Sequence, residues 1–101
     1  MPKHAAQADA NQREIILALK QMGAKAIYLK KPVDLLVGYR GVNVLLEVKN
    51  LSAARGDARQ GKLTAEEQEF FDTWPGQVEK VTSPQQACEV VVDAWRRSLK
   101  S

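Results

Sequence analysis

The sequence predicts an α/β (α+β) domain in which helices flank a small mixed sheet, in the order α-β-β-β-α-β-α. Apolar residues recur at helical and then at strand-like spacing in that order along the chain. Two neighbouring segments, 33–39 and 42–48, are apolar on both faces, which is typical of central strands with cover on each side. The 101 residues, 45% of them hydrophobic, suffice for one core, so residues 1–101 are interpreted as a single domain.

The first half of the chain contains a helix followed by three strands. Apolar residues at helical spacing predict the helix over about 10–22, and Gly23 can end it. Residues 1–8 are polar and alanine-rich, and we expect them to be disordered. A short strand at 26–29 precedes the two apolar segments, and Arg40-Gly41 between those segments predicts a tight hairpin turn.

The second half opens with residues 50–62, a basic segment with two glycines that predicts a mobile loop. Thr64-x-x-Glu67 then forms a capping box for a helix that ends at Pro75-Gly76. Its aromatic residues are expected to lie in the core; they are Phe70, Phe71 and Trp74. A strand at 77–81 follows, and Ser83-Pro84 begins the last helix, over about 84–98.

The composition excludes several classes of protein. One cysteine, Cys88, cannot form an internal disulfide, and with one histidine, His4, it cannot build a Cys/His zinc site. No apolar run approaches the roughly 18 residues that a membrane span needs, and the N-terminus has no apolar signal core. We therefore expect a protein of the reducing cytoplasm, without a membrane partner.

Charge is distributed unevenly. Segment 20–62 carries nine Lys or Arg residues against three acids, whereas 63–93 carries seven acids and Lys80 alone. This pattern favours a face that binds a polyanion, although a solvated surface of uneven charge would look the same. The candidate contacts to a phosphodiester backbone are Lys30, Lys31, Arg55, Arg59 and Lys62.

Three ionisable residues interrupt the apolar strands: Asp34, Glu47 and Lys49. A two-residue turn at Arg40-Gly41 pairs Asp34 directly with Glu47, on the same face of the sheet. Side chains alternate along a strand, so Lys49 shares that face. The register therefore predicts that two carboxylates and an ammonium group converge.

Two carboxylates at this spacing repel unless one holds a proton or a cation lies between them. Oxygen ligands suit Mg²⁺ or Mn²⁺, and the Val48 backbone carbonyl could add a ligand at the same edge. Lys49 would then orient an attacking water and offset charge that develops on a phosphate. The alternative is a cross-strand ion pair of Lys49 with Asp34 or Glu47.

These residues resemble a known family. Pro32-Val33-Asp34, followed by Glu47-Val48-Lys49 on the next strand, is similar to the motif of the PD-(D/E)XK nuclease superfamily. The strings Asp-Leu-Leu-Val-Gly at 34–38 and Leu-Thr-Ala-Glu-Glu-Gln at 63–68 resemble its VRR-NUC (virus-type replication-repair nuclease) branch, in the short stand-alone, phage-like form. The resemblance runs from about residue 14 to residue 87 and implies a restriction-endonuclease-like core.

The resemblance also implies roles for two further residues. Glu14 matches the helix-borne acid that completes the metal site through bound water, and Gln68 matches a glutamine that faces the active site. The chain departs from the family at Val81-Thr82-Ser83, where an arginine is usual. Any contact of that arginine with a phosphate is therefore lost or is made by Lys80 instead.

The resulting expectation is a Mg²⁺- or Mn²⁺-dependent endodeoxyribonuclease without an organic cofactor. The resemblance implies action on branched DNA such as four-way junctions, in repair or recombination, by a homodimer. Consecutive valines at 90–92 favour a dimer to which helix 84–98 or helix 10–22 contributes. Two alternatives stay open, namely a non-catalytic DNA-binding or assembly module of the same fold and a restriction-type endonuclease.

Overall fold

The protein is a small mixed α+β domain with three helices and a four-stranded mixed sheet. A computed structural model describes residues 3–50 and 62–100. The elements, in chain order, are α1 (Lys3–Gln21), β1 (Lys25–Tyr28), β2 (Leu35–Tyr39), β3 (Val42–Val48), α2 (Ala65–Thr73), β4 (Val78–Val81) and α3 (Pro84–Ser98). This order and the mixed sheet agree with the prediction.

The strands lie in the spatial order β1-β2-β3-β4, so the two apolar strands are central as predicted. β1–β2 and β2–β3 are antiparallel, and the β2–β3 ladder runs from Tyr39↔Val42 to Leu35↔Leu46. β4 joins β3 in parallel after the excursion through α2, and this pairing places Lys80 beside Glu47. The carboxyl end of β3 is therefore flanked by the start of β2 on one side and by β4 on the other.

The hairpin between β2 and β3 explains this register. Arg40 and Gly41 both have positive φ, 49° and 90°, as a two-residue turn that matches the strand twist requires. Glycine adopts this conformation freely, whereas Arg40 gains a compensating contact, because its guanidinium lies 4.7 Å from the centre of the Trp95 ring. The turn thus fixes which residues of the two strands face each other.

The core lies between one face of the sheet and helices α1 and α3. Its fully buried members are aliphatic residues of α1, β2, β3, β4 and α3, among them Ile15, Leu19, Leu35, Val37, Leu46, Val81 and Val91. On α3, Val91 is buried and Val90 and Val92 pack partly buried against this core. The consecutive valines are thus used within one subunit, and they no longer argue by themselves for a dimer.

Two predictions about local structure are wrong. α1 begins at Lys3 rather than near residue 10, because alanine has the highest helix propensity and four alanines lie between residues 5 and 10. The helix 65–73 contributes no buried side chain; Phe70 and Phe71 are half-buried and Trp74 is 43% exposed. Its aromatic face therefore lies outside the core.

No helix within residues 3–50 and 62–100 has the length and apolar character that crossing a bilayer requires.

Candidate functional site

The predicted cluster of charges forms at the end of β3. Regular pairing of β2 with β3 stops at Leu35. Asp34 lies in the bend just before β2, and its own backbone amide donates a hydrogen bond of 3.1 Å to the Leu46 carbonyl. The carboxylate of Asp34 turns towards β3, where its Oδ2 accepts a hydrogen bond of 2.8 Å from the Val48 amide. The structure thus brings Asp34 beside Glu47, as the register predicted.

Glu47 is the only buried charged residue in the part of the chain that the structure describes, with 5% of its surface exposed. Burial raises the pKa of Glu47 to about 8, helped by a hydrogen bond to Glu67 and by the charges of Asp34 and Glu67. A buried carboxyl among carboxylates therefore keeps its proton near neutral pH when no cation is present.

Lys49 lies between two carboxylates. Its Nζ is 2.7 Å from Oε1 of Glu67 and 3.4 Å from Oε2 of Glu47. Burial alone would lower the pKa of Lys49, but the hydrogen bond to Glu67 and the neighbouring negative charges outweigh it, so the pKa lies above its ordinary value. The cluster therefore holds a lysine that is firmly protonated.

Glu67 is the member of the site that the sequence analysis missed. It was interpreted only as part of a capping box, and that box is present: Oε1 of Glu67 accepts from the Thr64 amide at 2.9 Å, while the Glu67 amide donates to the Thr64 hydroxyl at 3.2 Å. The same Oε1 also binds Lys49. Although burial opposes the effect, the hydrogen bonds from Lys49 and Thr64 lower the pKa of Glu67, so this carboxylate stays ionised.

The two residues assigned through the family resemblance alone do not join the cluster. Gln68 is exposed, and its amide nitrogen donates to Asp72 one turn further along α2. Glu14 is exposed on α1, and no contact within residues 3–50 and 62–100 joins it to the cluster. One turn earlier, Asn11 donates from its side chain to the Lys49 carbonyl at 3.4 Å, so α1 reaches the site through an amide.

The other predicted residues lie around the cluster. The Val48 amide is the group bound to Asp34, and a metal contact through the Val48 carbonyl stays a prediction. Lys30 and Lys31 are exposed and line a cavity beside the start of α2, and Lys62 is exposed ahead of that helix. Arg55 and Arg59 lie outside the described residues.

The donor set suits a hard divalent cation. Within the described ranges, no group of three or more His, Cys, Asp or Glu side chains is arranged as a metal site. Asp34 and Glu47 nevertheless offer two carboxylates, and Mg²⁺ commonly uses one or two together with waters and substrate phosphate. The raised pKa of Glu47 is compatible with a cation ligand, since a cation bound here would offset both the burial and the neighbouring negative charges that keep the carboxyl protonated.

No protein-family model, curated protein or solved structure matches the chain.

Proposed function

We propose that this protein is a metal-dependent DNA endonuclease of the PD-(D/E)XK superfamily, VRR-NUC branch, with a restriction-endonuclease-like core. The observation that carries the proposal is the buried Glu47, with Lys49 two residues on and Asp34 beside it on the paired strand. Burying a charged residue is costly unless it is paired or binds a metal ion. The proximity of these three side chains supports the proposal.

Each side chain has a distinct task in the proposed reaction. Asp34 and Glu47 would hold Mg²⁺ or Mn²⁺, which supplies an activated water and stabilises negative charge on the phosphate. The Val48 amide keeps the Asp34 carboxylate turned towards β3. Lys49 stays protonated, so it can orient the attacking water and stabilise the oxygen charge that develops at phosphorus. The water oxygen would add to phosphorus in line as the bond from phosphorus to the 3′ oxygen breaks, and the proton that the water loses to solvent would be replaced by one that solvent gives to the departing 3′ oxygen.

DNA is the proposed substrate because cations surround the carboxylate cluster. Lys30 and Lys31 line a cavity together with Glu67, Lys62 is exposed ahead of α2, and Lys80 lies beside Glu47 in the β3–β4 register. Branched DNA such as four-way junctions and a homodimeric enzyme remain part of the proposal, since a domain of this size contacts little duplex and a two-fold dimer would present two sites.

The experiment is cleavage of supercoiled plasmid and of a labelled four-way junction, with Mg²⁺, with Mn²⁺ and with EDTA. We expect cleavage only with metal, and loss of at least a hundredfold in rate for Asp34→Asn, Glu47→Gln and Lys49→Ala. Glu79→Gln is the matched control, since Glu79 is an exposed carboxylate on β4 outside the cluster. Cleavage in EDTA, or a fully active Glu47→Gln protein, would refute the proposal.

A non-catalytic DNA-binding module is the second candidate, and one observation favours it. Lys49 contacts both Glu47 and Glu67, so the cluster already contains a cation without a metal. Such a module would bind the junction as tightly as an enzyme would but would leave it intact with either metal. The cleavage assay therefore separates the two candidates.

A further inference from the structure

A cavity of about 460 Å³ lies next to the carboxylate cluster. One wall is formed by Lys30, Lys31 and Pro32, in the connection between β1 and β2, and the other by the first turns of α2. Glu67 belongs both to this wall and to the cluster, where it binds Lys49 at 2.7 Å. The volume falls in the range of small-ligand sites, about 300–1,000 Å³.

The cavity has a cationic wall and an aromatic wall. The ammonium groups of Lys30 and Lys31 suit a phosphate, and Phe70 presents a ring from α2. That ring is held in place because it stacks on Trp74, with centroids 5.1 Å apart and planes 27° apart. Trp74 in turn packs on Gly76, where an added Cβ would lie 2.7 Å from the indole nitrogen. None of these aromatic groups is used in the core.

The acidic residues of the wall limit how a ligand could lie. The charge of Glu67 is balanced by Lys49, whereas Glu66 is exposed at the cavity. A phosphate would therefore lie towards the two lysines and away from Glu66. A carboxylate such as Glu66 can accept a hydrogen bond from an amino group on a base edge.

We infer that this cavity binds one unstacked nucleotide of the DNA strand, with its base against Phe70 and its phosphate at Lys30 and Lys31. The inference rests on the proposed nuclease function and specifies its substrate class. A base inside a duplex is stacked between its neighbours and cannot reach such a ring without being extruded. The protein should therefore prefer branches that carry unpaired nucleotides over continuous duplex.

The test measures binding in EDTA, so that it does not depend on catalysis. The probes are a single-stranded 15-mer containing 2-aminopurine and the same oligonucleotide in a duplex. Wild-type protein should bind the single strand more tightly and quench its fluorescence. Phe70→Leu should weaken single-strand binding about tenfold, the usual effect of losing one base-stacking ring, and leave duplex binding unchanged. Phe70→Tyr keeps a ring and should retain both affinity and quenching.

Phe71→Leu is the matched control, since Phe71 is also a half-buried aromatic residue of α2 but does not line the cavity. Equal losses in the two leucine variants, or no loss in Phe70→Leu, would overturn the inference. Competition by micromolar dTMP would also overturn it, because the cavity would then take free nucleotides rather than a strand. These binding results do not depend on cleavage. If the protein failed to cleave DNA with Mg²⁺, that failure would overturn the nuclease function alone.

Discussion

Replacing the buried Glu47 carboxyl by a neutral amide should make the protein more stable above pH 5 and remove a pH dependence. In the folded protein the pKa of Glu47 is about 8, whereas its ordinary value is 4.5. Between these pH values the folded chain binds a proton that the unfolded chain has released. Stability is therefore greatest below about pH 4.5, falls as the pH rises, and levels off above about pH 8.

The size of this effect follows from the two pKa values. Each pH unit inside the window costs up to about 1.4 kcal/mol, so stability should fall by about 2 to 3 kcal/mol between pH 5 and pH 7. For a domain of this length, that lowers the melting temperature by on the order of 10 °C. Glu67 and Lys49 do not oppose this slope, since the pKa of Glu67 is lowered below 4.5 and that of Lys49 is raised above 10.5.

The assay is urea unfolding of wild type and Glu47→Gln at several pH values from 5 to 8, without divalent metal. We expect the wild-type free energy of unfolding to decline across this range, and the Glu47→Gln curve to decline by about 2 to 3 kcal/mol less between pH 5 and pH 7. Glu79→Gln should follow the wild type, because Glu79 is exposed. Parallel wild-type and Glu47→Gln curves would show that Glu47 is ionised in the metal-free protein, and the reasoning about the cluster would fail.

Four further predictions concern the metal, the capping box, the basic loop and the assembly. At pH 7, binding of one Mn²⁺ should release about 0.9 proton from Glu47, given a pKa of about 8, and calorimetry in two buffers of different ionisation enthalpy would detect this release. Glu67→Gln keeps an acceptor for the helix cap and should lower the free energy of unfolding by about 1 kcal/mol, whereas Glu67→Ala also loses the cap and should lower it by about 2 kcal/mol. Urea unfolding would measure both, with Glu66→Gln as the neutral control. In the Arg55→Ala, Arg59→Ala double variant, the slope of the logarithm of the DNA-binding constant against the logarithm of salt concentration should become shallower by about 0.9 for each lost phosphate contact. An unaltered slope would show that neither residue contacts DNA. Sedimentation at micromolar concentration should give twice the 11.2 kDa chain mass, and a mass of one chain would exclude the homodimer.

Local signals explain what could be predicted of the fold. The Arg40-Gly41 turn fixes the strand register, and the register alone is enough to place Asp34 near Glu47. Thr64 and Ser83 cap their helices as their sequence patterns indicate. These features depend on residues close together in the chain, where turn geometry and capping leave few alternatives.

Contacts between distant segments explain what was missed. The capping-box pattern accounts fully for Glu67, so nothing in the sequence indicated that the same oxygen also binds Lys49. Glu14 and Gln68, which were assigned through the family resemblance alone, are both exposed, and their roles at a metal site stay predictions.

The contact between Lys49 and Glu67 also bears on how this protein can evolve. It joins the residue that follows β3 to the first turn of α2, across the connection between the two elements. Doubling the length of such a connection costs only about 0.6 kcal/mol. Insertions, deletions or exchanged sequences in this stretch should therefore be tolerated while the charged cluster keeps its geometry. Related proteins could acquire new preferences for their target there without rebuilding the reactive groups.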